Sequence, residues 1–207
     1  MAVRSETRPG AGADAEPAAF RDAVKSMQSV RFRSDVHIEP MPAPQRIAPF
    51  SSAISADVDL DGVEVGTGRM ILLHDPAGND AWDGVFRCVA YARAEIDVDL
   101  ITDPLLADVG WSWLTEALGA HGADYHAISG TVTRVATESY GGMADDGGTA
   151  QVEIRASWTP LGPNLSSGTL DVGPHVEAWG DLLCTAAGLP PVPEGVSVIP
   201  TRRSRSG

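Results

Sequence analysis

The sequence predicts an α+β two-layer sandwich: a mostly antiparallel sheet of about five or six strands with three helices largely on one face. Three observations lead there. Segments with apolar residues in strict alternation recur along the chain, and two of them flank the hairpin signal Asp61-Gly62. The run from Val85 to Asp97 carries Phe86, Cys88, Ala90, Ala92 and Ala94 on one side, mostly small side chains that let a helix backbone come close. The stretch DPLLADVGWSWLTEALGAHG, Asp103 to Gly122, repeats Leu106, Val109, Trp113, Leu114, Ala117 and Leu118 at helical spacing. One broad face of that helix needs a sheet to cover, and the fold is read as organised around it.

A chain of 207 residues, 43% hydrophobic, holds one substantial core, so a single domain is expected over 18–200. Residues 1–17 are rich in Ala, Gly, Pro, Glu and Asp and offer little burial to offset ordering, so they are read as a disordered tail. Residues 201–207, with Arg202, Arg203 and Arg205, read as a basic disordered tail. The formal charge of −13 excludes a general nucleic-acid partner or an anionic membrane surface, because both demand surplus cations. Only Cys88 and Cys184 occur, both at expected core positions, where free cysteine behaves as a small hydrophobe. With no leader-like N-terminus and no bilayer-length apolar run, a cytoplasmic protein with reduced thiols is expected.

In chain order, Phe20, Val24 and Met27 mark a first helix from Phe20 to Phe32, anchored by Phe20 and Met27. Val36 to Glu39 reads as a short strand. The prolines of MPAPQRIAPF then make an extended connection, pinned by Ile47 and Phe50. Ile54 to Leu60 is a half-buried strand, and Val63 to His74 its return arm, with a bulge or kink expected at Gly66 and Gly68. HDPAGNDAWDG reads as a long polar loop before the strand Val85 to Asp97. The organising helix has Asp103 to cap it, Pro104 in its first turn and Gly122 to end it. Ile128 to Ser139 and Gln151 to Trp158 are two more strands joined by a Gly-rich tip expected to be mobile. After the loop LGPNLSSGT, Val176, Trp179, Leu182, Leu183 and Ala186 mark a final helix closed by Gly188 and prolines.

PAPQRIAPF, HDPAGNDAWDGVFRCVAYARAEI, DPLLADVGWSWLTEAL, GTVTRVATESYGG, AQVEIRASWTPL and LCTAAGLPPVP occur together in this order. Jointly they make the chain resemble an actinobacterial family catalogued as domain of unknown function number three thousand. The resemblance runs from about Phe20 to about Pro200. It implies no activity, cofactor or catalytic residue.

No complete catalytic set is legible. Gly110-Trp111-Ser112-Trp113-Leu114 imitates a nucleophile elbow, but its serine sits inside a helix and Leu114 stands where glycine is required; Trp111 and Trp113 read instead as core anchors. His37, His74, His121, His126 and His175 form no metal-ligand spacing, so no metal and no cofactor are expected, and His121 reads as a helix-end residue meeting carbonyls. Asp145 and Asp146 argue against phosphate at the Gly-rich tip. Two candidate sites are left. In the first, His74, Asp75, Asp80, Trp82 and Asp83 share one loop, where a histidine and three carboxylates can do acid–base work; the same residues are also ordinary turn chemistry. The second is the wet face of the sheet, where Arg87, Arg93, Arg134 and Arg155 interleave with Glu95, Glu138 and Glu153 around Tyr91. The second leads to the principal reading, a non-catalytic module that binds a protein partner or its own second copy. The alternative is a small-molecule binder or hydrolase built on the His74 to Asp83 loop over a pocket lined by Trp82 and Tyr91.

Overall fold

Six segments of alternating burial pair edge to edge because a period of two puts every apolar residue of a strand on one side. In the computed structural model, which describes residues 16–44, 46–162 and 169–190, they form one antiparallel sheet. In chain order the elements are α1 (Ala18–Ser29), β1 (Val36–Met41), β2 (Phe50–Leu60), β3 (Val63–Asn79), β4 (Gly84–Ile96), α2 (Leu106–Ala120), β5 (Tyr125–Thr137), β6 (Thr149–Pro160) and α3 (Gly173–Ala186). The sheet order is β1-β2-β3-β4-β6-β5. The chain is an α+β fold. Residues 1–15, most of the first expected tail, lie outside the described residues. So do 163–168 of the LGPNLSSGT loop, Pro191 and Pro193 beyond α3, and the basic segment 201–207.

Among the described residues helices cover one face of the sheet. On β4 that face carries Phe86, Cys88, Ala90, Ala92 and Ala94, all buried, and Val152, Ile154, Ala156 and Trp158 continue it on β6. The small residues matter where α3 crosses. A Cβ added at Gly68 would lie 2.6 Å from Leu183 and 2.9 Å from Trp179, so β3 admits the helix only with no side chain there. Gly130 on β5 is as constrained, since a Cβ would meet the Arg155 carbonyl oxygen at 2.3 Å and the Trp111 ring at 2.6 Å. Cys88 and Cys184 are both buried free thiols, and burial pushes both upward in pKa.

The helix at the centre is α3, not α2. Leu106, Gly110, Leu114 and Leu118 are the buried residues of α2, whereas α3 buries ten of its fourteen residues, Trp179 among them. Val109 is exposed, and Trp111 and Trp113 are half-buried, so the fully buried tryptophans are Trp158 and Trp179. A stripe pattern picks out a helix with one wet side. A helix enclosed on most sides shows a weaker stripe because its apolar residues lie all around it.

Other local expectations hold or shift. Phe20 and Met27 anchor α1, and Phe50 packs near Phe20 and His74, but Ile47 is exposed and pins nothing. Asp61 and Gly62 both take positive φ, as the two-residue hairpin requires. The register slips between Val58 and Asp59, leaving Val65 as the extra residue one position before Gly66. HDPAGNDAWDG is not a long loop. β3 continues to Asn79, which pairs with Gly84, and only 80–83 turn; pairing lapses between His74 and Asn79, where Asp75 accepts from the Ala77 amide and Pro76 offers no donor. The Gly-rich tip holds a 3-10 turn, Gly141–Asp146. Among the described residues no helix is long and apolar enough to cross a membrane.

Candidate functional site

Among the described residues nothing covers the centre of the sheet face opposite the helices, and register fixes what it presents. Arg69, Tyr91, Arg155 and Thr131 form one row across β3, β4, β6 and β5. Arg93, Glu153 and Thr133 make a second row, and Ile71, Val89, Ser157 and Ser129 a third on the other side. The first and third rows line an open depression of about 580 Å³ with Ile71 and Val89 in its apolar part, within the size range of ligand sites.

Charge on this face is only partly paired. Arg155 Nη2 lies 2.7 Å from Glu153 Oε2, the Tyr91 hydroxyl donates to Glu153 Oε1 at 3.1 Å, and the Arg155 guanidinium stands 5.1 Å from the Tyr91 ring centroid. Glu153 thus holds Tyr91 and Arg155 in place. Among the described residues Arg69 and Arg93 have no carboxylate at ion-pair distance. With strands about 4.8 Å apart, Arg69 and Arg155 stand two strands or about 10 Å apart, on either side of the Tyr91 position.

Arg87 anchors the end of the same face. It is buried, and among the described residues its guanidinium is bound by neutral oxygens alone. Nη1 donates to the Ala127 carbonyl at 2.9 Å and to Thr159 Oγ1 at 3.1 Å. Nη2 donates to Ser157 Oγ at 2.8 Å, to the Ser157 carbonyl at 3.2 Å and to Ser129 Oγ at 3.5 Å. Desolvation pulls its pKa below the ordinary arginine value, yet a guanidinium stays charged in a protein, so a positive charge with no carboxylate sits beneath the rim of the depression.

Six of the eight face residues expected from the sequence, Arg87, Tyr91, Arg93, Glu95, Glu153 and Arg155, share the open face. Arg134 does not. It lies in register with Val152 on the helix side, where Nη1 donates to the Asp103 carbonyl at 3.0 Å. Glu138 lies beyond β5, exposed. The β5 residues that do belong to the open face are Ser129, Thr131 and Thr133. Arg69 was not among the expected residues; its signal was the alternation of β3 continuing through Gly66 and Gly68.

The residues of the loop candidate lie close in sequence but do not converge. His74 sits on the helix side, buried, stacked on Phe86 at 4.1 Å between ring centroids, with Nδ1 2.9 Å from the Val85 carbonyl; burial lowers its pKa. Asp80 and Asp83 are exposed at the turn, and no hydrogen bond joins His74 to Asp75, Asp80 or Asp83. Trp82 is half-buried and accepts through its carbonyl from Thr159 Oγ1, away from the residues that line the Tyr91 depression. His121 meets carboxylates instead of helix-end carbonyls, with Nε2 2.7 Å from Asp181 Oδ2 and Nδ1 3.3 Å from Glu177 Oε2, tying α2 to α3. No group of three or more metal-ligating side chains occurs among the described residues.

A family model described as protein of unknown function (DUF3000) matches residues 16–197. No curated protein and no solved structure matches the chain.

Proposed function

The chain belongs to the DUF3000 family of proteins of unknown function, and from that premise we propose that it is a non-catalytic cytoplasmic binding module that takes an acidic protein segment on its open sheet face. The observation that carries this reading is the cluster of Arg69, Arg93 and Arg155 around Tyr91, Ile71 and Val89, on the uncovered side of a chain whose net charge is −13. Cations gathered on one patch of an acidic protein select an anionic partner and repel others. Planar arginines receive carboxylates bidentately, and the tyrosine and aliphatic floor supply area that polar contact alone would not. A partner strand laid along the depression would set carboxylates by Arg69 and Arg155 and an apolar side chain between them.

The test is a labelled decapeptide of alternating glutamate and leucine, followed by fluorescence polarisation. Binding is expected to weaken about tenfold between roughly 0.05 and 0.3 M salt, and by about tenfold or more in Arg69→Glu/Arg155→Glu. Both arginines are exposed, so the double variant keeps its melting temperature. Equal affinity in wild type and variant overturns the reading. Sedimentation of the free protein separates the two partners: a dimer that the same substitutions dissociate identifies the occupant as a second copy.

A further inference from the structure

The sheet has two border strands, β1 and β5. A border strand presents a row of N–H and C=O groups with no partner in its own sheet, and proteins that stay single guard such rows with short strands, proline or charge. β1 is guarded. It is six residues long, Pro40 offers no donor, and Glu39 is exposed beside it. β5 is not. It runs for thirteen residues, Tyr125–Thr137, without proline, lysine or a carboxylate, in a chain that holds 28 acidic residues. Its register shift falls between His126 and Ser129, and from Ser129 to Thr137 it pairs with β6 residue by residue. Thr131, Val132, Thr133, Val135 and Thr137 are β-branched, as side chains that pack across paired strands are. Among the described residues no strand pairs with the outer side of β5.

What completes a bare border is an extended strand, and the pattern of β5 fits a second copy of itself. Turned about Thr133, two copies run antiparallel with Ser129 opposite Thr137, Gly130 opposite Ala136, Thr131 opposite Val135 and Val132 opposite Arg134. On the open-face side every pair joins hydroxyl or β-branched side chains, on the helix side glycine meets alanine, and no two like charges are opposed. Arg134, the one arginine of the strand, is held on the helix side by the Asp103 carbonyl. Two copies of a chain with a net charge of −13 repel least along a border free of carboxylates. We infer that the protein forms a two-fold dimer in which the β5 strands of two copies pair antiparallel about Thr133, joining two six-stranded sheets into one. The nine-residue match from Ser129 to Thr137 supplies about eight main-chain hydrogen bonds. The inference is independent of the partner proposed for the open face, but the dimer sets the two Tyr91 positions five strand spacings, about 24 Å, apart on one continuous face.

The test is sedimentation of the full chain from micromolar to millimolar protein. A dimer is expected whose dissociation constant rises about tenfold or more in Thr133→Lys, which sets two lysines opposite each other at the dyad. Thr133 is exposed, so this variant keeps its melting temperature. Arg69→Glu/Arg155→Glu leaves this dimer intact, which separates it from association through the open face. A second arm reads the geometry. In Thr133→Cys two copies of the same residue face each other at about 5 Å between Cα atoms, within disulfide reach. Copper phenanthroline takes two electrons as the two thiols lose their protons and form the bond, while Cys88 and Cys184 are buried and stay out of the reaction. The disulfide between chains is expected to form about tenfold faster than in Glu39→Cys, an exposed position on the guarded border. A monomer at all concentrations, a dimer indifferent to Thr133→Lys, or equal cross-linking at the two borders overturns the inference.

Discussion

Replacing Trp179 by alanine is expected to lower the unfolding free energy by about 3–5 kcal/mol, a large fraction of the roughly 5–15 kcal/mol that holds such a domain together. The indole is wholly enclosed, edge-on to Phe32 at 6.3 Å between centroids, and its Nε1 donates to the Tyr91 carbonyl at 3.1 Å. It rests over Gly68, where no side chain competes for the space. Truncation therefore opens a cavity over the middle of the sheet and removes a donor to the very strand that carries Tyr91. Urea unfolding followed by circular dichroism reads the loss, with Trp113→Ala as the comparison. Trp113 is half-buried, so its truncation costs less. A larger loss for Trp113 than for Trp179 would restore α2 as the centre of the fold.

Acidification is expected to remove up to about 3 kcal/mol through His175 alone. This imidazole is 1% exposed, and its Nδ1 accepts from Trp158 Nε1 at 3.1 Å, which requires the neutral ring. Burial pushes its pKa down to about 4, against weaker upward pulls from its hydrogen bond to the Leu161 carbonyl and from the Asp171 and Asp124 charges. Below pH 6.5 the unfolded chain takes up a proton that the folded chain refuses. Stability is therefore complete above pH 6.5 and falls progressively as pH drops toward about 4. Urea midpoints at pH 7, 5.5 and 4.5 are expected to fall more steeply for wild type than for His175→Gln, which does not titrate and keeps an acceptor for Trp158. The ring resonances of His175 in the unmodified protein give the same answer without a variant. Titration near pH 6.5 in the folded state would refute the assignment.

The sheet was legible in the sequence because alternation is a local property: Val152 to Trp158 and Phe86 to Ala94 name their own buried side, and the Asp61-Gly62 turn sets their neighbour's direction. What local pattern does not carry is which side of an edge strand faces which layer. On β5 both sides are largely exposed, so Arg134 and Glu138 read as its wet side, and only the pairing with Val152 and Arg155 puts Arg134 on the helix side and Thr131 on the open face. Arg69 sits between Gly68 and Met70 in a stretch whose glycines read as an interruption, although they are the space into which α3 packs. The HDPAGN segment has the composition of a turn, yet it belongs to a strand arm because both its ends, His74 and Asn79, pair with β4 at Phe86 and Gly84. Arg87 looked like a surface cation. Its burial depends on Ser129, Ser157 and Thr159, which are far away in sequence and supply small hydroxyls where larger side chains would exclude a guanidinium.

The reading of the open face as the working surface is tested most directly by following backbone amide resonances during titration with the alternating glutamate–leucine peptide. Saturable shifts are expected at Arg69, Ile71, Val89, Tyr91, Thr131 and Arg155, with α3 and the 80–83 turn unmoved. Shifts centred on the helix side or on that turn, or none at all, would contradict it.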